Sequence, residues 1–179
     1  MGVGMTISRS AHDPGGSPSS VANHDADEIE RLLRFFEIDQ QTREAGRELF
    51  ALFDPHADAI FGKFYQKVQA FAVNPHVTDA AIVRLKAKQR AHWAALLTAN
   101  FSPDYIQGIR RIGGQHREIE LGSMWFVAGY AQLKIIFLNL IVAAGFPPEK
   151  KDALILVLEK YVAVDMALAL SAYDSVLLD

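Results

Sequence analysis

Two long, almost uninterrupted apolar segments follow one another in the second half of this chain, and they constrain its fold more than any other feature. The first spans residues 123–144; the second starts near Pro147-Pro148 and continues almost to Asp179. Gly145 stops the first, and the prolines suit the first turn of the second. The second segment carries Leu154, Leu158, Tyr161, Val162 and Leu168 among other apolar residues, spread over most of its circumference. A helix apolar all round must be covered on more than one side. A chain of 179 residues supports one real core, yet one small domain cannot cover both helices. The expectation is an all-α fold whose last two helices pair with those of a second copy, forming a homodimeric four-helix bundle.

The stretch from Trp125 to Phe146 resembles a membrane span. Gln132, Lys134 and Asn139 interrupt it, and a spanning helix needs roughly 18 or more clean apolar residues. It is therefore expected to be a buried helix of a soluble protein. Strand patterns are weak elsewhere, and helix formers dominate. Asp27 is placed to cap a helix over 27–36, and Asp39 one reaching 53. Asp54-Pro55 marks a turn. A helix over 56–71 aligns Ile60, Phe64, Val68 and Phe71, and Asn74-Pro75 ends it. Thr78 caps a helix to 97 with Ile82, Leu85, Gln89, Trp93 and Leu96 on one face. Ser102-Pro103-Asp104 combines a capping hydroxyl, a first-turn proline and a carboxylate at the positive end of a helix. Residues 1–24, rich in Gly, Ser and Pro, read as a disordered leader before one domain over 25–179.

The net charge of −3 comes with no basic patch, so neither nucleic acid nor an anionic membrane is an expected partner. Cysteine is absent, which excludes disulfides and thiolate ligands and agrees with a cytoplasmic location. Any metal must be held by His, carboxylate or Met. No phosphate-binding loop, dinucleotide fingerprint, His-Glu zinc motif or Ser/His/Asp order occurs.

The helix opened by Ser102 places Tyr105, Ile109, Ile112, His116 and Ile119 on a shared face. Gly113-Gly114 weakens it one turn before His116 and would let a flat ligand or another helix approach. Neutral imidazole is a good iron ligand. A single helical histidine is nonetheless more often an ordinary surface or core residue. By the same standard Tyr65 is a core tyrosine, and Lys88 a solvated amine with its stem on the core. Gln89 has the better inward phase, and His92 reads as a surface imidazole. His12, His24, His56 and His76 take no role.

Phe64-Tyr65, the Arg84-Leu85-Lys86 helix with His92, and the run His116-x-x-Ile119-x-Leu121-x-x-x-Trp125-Phe126 together resemble the haem domain of the globin-coupled sensors, a protoglobin-like lineage of the globin superfamily. The resemblance covers about residues 27–178. It implies a globin-like helical sandwich around one haem b, with His116 as proximal iron ligand. It implies Tyr65 as distal hydrogen-bond donor, Leu85 as distal apolar wall, and Lys88 at the position of a second polar group. Gln89 is a further candidate on that side, and Phe64, Ile112, Trp125 and Phe126 are expected beside the cofactor. The resemblance further implies reversible binding of oxygen, carbon monoxide and nitric oxide. Its signal would pass through the dimer helices to an output domain beyond this chain, such as a diguanylate cyclase, rather than lead to turnover. The chain departs from the family at Glu120, where Gly is frequent, at Ser123, where Pro is frequent, and at Phe126, where Tyr is frequent. Two alternatives stand beside this reading: a globin enzyme that oxidises nitric oxide, and a cofactor-free dimerisation module.

Overall fold

A computed structural model describes residues 18 to 174, apart from residues 72, 99 and 100. The helices are α1 (Pro18–Phe35), α2 (Gln40–Phe53), α3 (Ala57–Ala70), α4 (Asp79–Leu97), α5 (Pro103–Glu118), α6 (Ser123–Ala143) and α7 (Pro148–Asp174). A 3₁₀ turn, Asp54–His56, joins α2 to α3. No strand occurs among the described residues, so the all-α expectation holds.

Local chemistry sets three of the starts. Asp39 accepts from the Thr42 amide at 2.7 Å, Thr78 from Ala81 at 3.3 Å and Ser102 from Tyr105 at 3.3 Å. Each satisfies an amide that the first turn leaves without a helical partner. The first helix differs from expectation. It begins at Pro18, not at Asp27, so residues 18–24 of the expected leader are helical. The remainder of that expected leader, residues 1–17, lies outside the described residues, as do residues 175–179 at the end of the last expected helix.

The core joins every helix. Phe137 of α6 stacks on both Phe53 of α2 and Trp93 of α4, each at 4.5 Å between ring centroids. Leu49, Leu96, Ile109, Leu154, Leu158 and Tyr161 are fully buried around them. Helices α5, α6 and α2 pack on α7, and α3 packs on α4 and α6. Two glycines permit the closest approaches. A Cβ on Gly46 would sit 2.7 Å from the Leu97 carbonyl oxygen and from the Tyr161 ring. A Cβ on Gly113 would sit 2.0 Å from the Ala169 carbonyl oxygen of α7.

Helix α6 is covered only in part by its own chain. Phe126, Leu133, Phe137 and Ile141 form its buried face, but only 22% of its most apolar window is covered by the rest of the chain. Ile135 is 50% exposed and Val142 59%. By length and composition this one helix among the described residues could cross a membrane. Its Lys134 pairs with Glu159 of α7 at 2.9 Å.

Candidate functional site

The candidate residues fall on two walls: α5, which packs on α7 and carries His116, and the α3–α4 pair, which carries Tyr65 and Gln89.

His116 lies in the last turn of α5. Its Nδ1 is 2.8 Å from the Ile112 carbonyl oxygen one turn earlier. A carbonyl can only accept, so Nδ1 carries the proton. In the neutral ring Nε2 is then left with a free lone pair. Burial holds the pKa of His116 below its ordinary value, helped by nearby His92 and opposed by the bond to Ile112. The ring is therefore neutral at physiological pH, the state that binds a metal. Phe126 packs its edge against the imidazole, with centroids 5.1 Å apart. This ring offers contact but no hydroxyl.

The end of α5 is closed by two backbone bonds. Glu120 donates to the Arg117 carbonyl at 2.8 Å, and Leu121 to the His116 carbonyl at 3.0 Å. This double closure needs a left-handed residue just past the helix, and Glu120 supplies it with φ 56°. The neighbouring glycines divide two tasks: Gly113 admits α7, while Gly114 faces open space, with nothing within 4 Å of a Cβ placed there.

On the other wall Tyr65 is buried, and Phe64 lies edge-on to it at 5.1 Å. Burial pushes the Tyr65 phenol up to about 12, and a hydrogen bond with Gln89 works in the opposite sense. The Trp93 indole N–H donates to Gln89 Oε1 at 3.0 Å. With its pKa raised, the phenol keeps its proton. Leu85 is half-buried against the core. Lys88 is exposed, and the structure does not bring it to Tyr65 or Gln89. Trp125, expected beside the cofactor as Phe126 is, is 41% exposed while Phe126 is 4% exposed; adjacent helical positions point about 100° apart. Ile112 is half-buried and acts through its carbonyl.

The largest departure from the sequence reading is His92. It is no surface imidazole: its Nε2 lies 2.9 Å from Asp165 Oδ2, and its side chain is 15% exposed. Asp165 of α7 is fully buried. It also accepts from the Tyr105 hydroxyl at 2.8 Å and the Tyr130 hydroxyl at 2.7 Å. Burial, and then the adjacent carboxylate, raise the Tyr105 pKa and keep its proton in place. The available signal was a lone carboxylate in the apolar run Val162-Ala163-Val164-Asp165-Met166-Ala167-Leu168. Such a group is tolerated in a core only when donors surround it.

Among the described residues no group of three or more His, Cys, Asp or Glu could hold a bare metal ion. A single imidazole with a free Nε2 suits an iron that brings its other ligands with it, as the iron of a tetrapyrrole does. The residues present therefore fit a haem.

Residues 25–178 match the sequence model of the Protoglobin family. Comparison with curated proteins gives no match. Among solved structures, the fold is similar to the globin domain of a globin-coupled sensor from Geobacter sulfurreducens, with TM-score 0.71 and 15% identity, covering 80% of this chain and 96% of that one. It is also similar to the globin domain of E. coli DosC. The ferric form gives TM-score 0.64 and 19% identity, covering 81% of this chain and 97% of that one. The ferrous form gives 0.64 and 18%, covering 80% and 95%. At these identities the structural likeness speaks to the fold, while the family match spans most of the sequence: the chain belongs to the Protoglobin family.

Proposed function

We propose that this chain is a haem-based gas-sensing domain that binds oxygen, and also carbon monoxide and nitric oxide, reversibly. Its signal passes through a homodimer interface to an output domain such as a diguanylate cyclase. The observation that carries the reading is the Nδ1 bond from His116 to Ile112, which leaves Nε2 of a neutral, partly buried ring free to ligate iron. Haem b is the type the family resemblance implies, and the absence of cysteine rules out thioether-linked haem.

When bound, the haem supplies reversible coordination of a diatomic gas at its iron. The chain supplies the rest. His116 holds the proximal side, and the Ile112 carbonyl fixes its tautomer. Tyr65 presents a hydroxyl on the opposite wall, where low local dielectric strengthens a hydrogen bond to a polar ligand. Gln89, whose amide oxygen Trp93 holds, lies near that hydroxyl. Phe64, Leu85 and Phe126 limit water, and Gly114 leaves room beside the proximal helix. Lys88 and Trp125 are peripheral in this scheme.

The dimer reading draws support from α6. Val127, Ala131, Ile135, Leu138 and Val142 recur at spacings of four, four, three and four, and all but the half-buried Leu138 are exposed. Leu156 on α7 is 61% exposed. A second copy covering this stripe is the occupant we assign. A cytoplasmic location agrees with the cysteine-free composition.

The test is an absorption spectrum of protein purified with added hemin, with and without dithionite and carbon monoxide. A Soret band lost in His116→Ala is expected; a colourless protein that refuses hemin would overturn the function. Analytical ultracentrifugation at micromolar concentration tests the dimer, and a monomer there would refute the interface.

A further inference from the structure

We infer that Asp165 is a positioning residue for the histidine ligand, joining His116 to α7 through Phe126 and Tyr130; this rests on the reading of His116 as the proximal haem ligand. The contacts run in one line. The His116 ring meets Phe126 at 5.1 Å, Phe126 meets Tyr130 at 5.1 Å, and the Tyr130 hydroxyl donates to Asp165 at 2.7 Å. Two further branches end on the same carboxylate. Tyr105 lies three helical turns before His116 on α5, and its ring stacks on His92 at 6.5 Å and 7°. His92 belongs to α4, the opposite wall of the site. Both walls and the backing helix α6 are thereby referred to one point on α7.

Stability alone gives little reason for this arrangement. Burying a carboxylate is costly even when it is fully paired, and an apolar residue of similar volume often serves as well. What the carboxylate provides is direction: three donors from three helices are held at fixed angles. Gly113 sits against Ala169, one helical turn beyond Asp165 on α7, so α5 bears on α7 both near His116 and, through Tyr105, at its far end. On this inference, a displacement of the His116 ring would be passed to Phe126, then to Tyr130 and its bond to Asp165. Spatial succession does not by itself establish coupling, so the test is a double-mutant cycle.

Tyr130→Phe keeps the ring packing and removes one hydroxyl; Asp165→Asn keeps the shape and removes the charge. Both would be made in the full chain reconstituted with hemin, singly and together. Three quantities would be read: the iron–histidine stretch of the ferrous protein by resonance Raman, the carbon monoxide release rate, and the melting temperature. We expect both single variants to keep haem and to shift the stretch. Gas release should change by about two- to thirty-fold, the range typical of energetically coupled positions, and the double variant should fall short of the product of the singles. A lowered melting temperature with an unmoved stretch and unchanged release would mark the cluster as structural and overturn the inference, leaving the sensor reading intact. If Asp165→Asn does not fold, Tyr130→Phe decides alone. In the haem-free chain, the His116 ring proton resonances should also move in Tyr130→Phe. A chain that takes up no haem overturns both readings.

Discussion

Replacing Gly113 with alanine should destabilise the protein, whereas the same change one residue later should stabilise it. Both glycines lie inside α5, where alanine is favoured over glycine by about 1 kcal/mol. At Gly114 nothing lies within 4 Å of the added methyl, so that gain is realised in the haem-free chain. At Gly113 the methyl would lie 2.0 Å from the Ala169 carbonyl oxygen and 3.1 Å from the Ala172 Cβ. A backbone oxygen in the middle of α7 cannot swing aside as a flexible side chain can, so the two helices must separate by roughly 1 Å. Overpacking of this kind costs about 1–3 kcal/mol, and the rigid partner puts this case toward the upper end. After the helical gain, the net loss is about 2 kcal/mol, or a fall in Tm of about 4–8 °C for a chain of this size. Gly114→Ala should raise Tm by about 2–4 °C. Thermal unfolding followed by circular dichroism at one fixed concentration, without hemin, measures both. Equal shifts in the two variants would refute the close α5–α7 contact. With hemin present, Gly114→Ala tests whether the open space beside it is the cofactor's, since the added methyl should then weaken haem retention.

Three further outcomes are expected. Tyr65→Phe should speed oxygen release by up to about tenfold, the equivalent of one hydrogen bond of roughly 0.5–1.5 kcal/mol; stopped-flow release measures it, and an unchanged rate would remove Tyr65 as the donor. Glu120→Gly should raise Tm by about 1–4 °C, because a left-handed side chain costs about 1–2 kcal/mol and glycine's greater unfolded freedom returns only part of it; calorimetry checks the sign, and a lower Tm would contradict the left-handed corner. Burial raises Tyr65 and Tyr161 from 10.0 to about 12. Their contribution to stability is complete below the unfolded value and is lost as pH rises through the folded one. An ultraviolet titration should therefore find these phenols ionising late and together with unfolding; two phenols titrating normally in the folded chain would refute their burial.

The starts of α2, α4 and α5 were legible because capping is local: Asp39, Thr78 and Ser102 each act within three residues of themselves. The start of α1 was not, because residues 18–26 carry no apolar period and Asp27 offers a plausible cap in mid-helix. Periodicity marked α6 as apolar all round, but it cannot say whether this chain or another covers a given face. The candidacy of His116 came from the resemblance of the run from His116 to Phe126, whereas its tautomer needed the Ile112 carbonyl in three dimensions. Trp125 and Phe126 were read alike as neighbours in sequence and then separated by the helical turn. Asp165 stayed hidden because its partners lie 35, 60 and 73 positions away, and no local rule connects them.

That carboxylate also bears on how the protein assembles itself. Until Tyr105, Tyr130 and His92 have all arrived, Asp165 enters the interior with a bare oxygen, and each absent donor leaves a penalty that burial of nearby aliphatic groups does not cancel. Partially docked states, with α7 seated against one neighbour alone, are thereby made scarce. The shared carboxylate thus favours docking of helices α4 to α7 together over docking of any one of them alone.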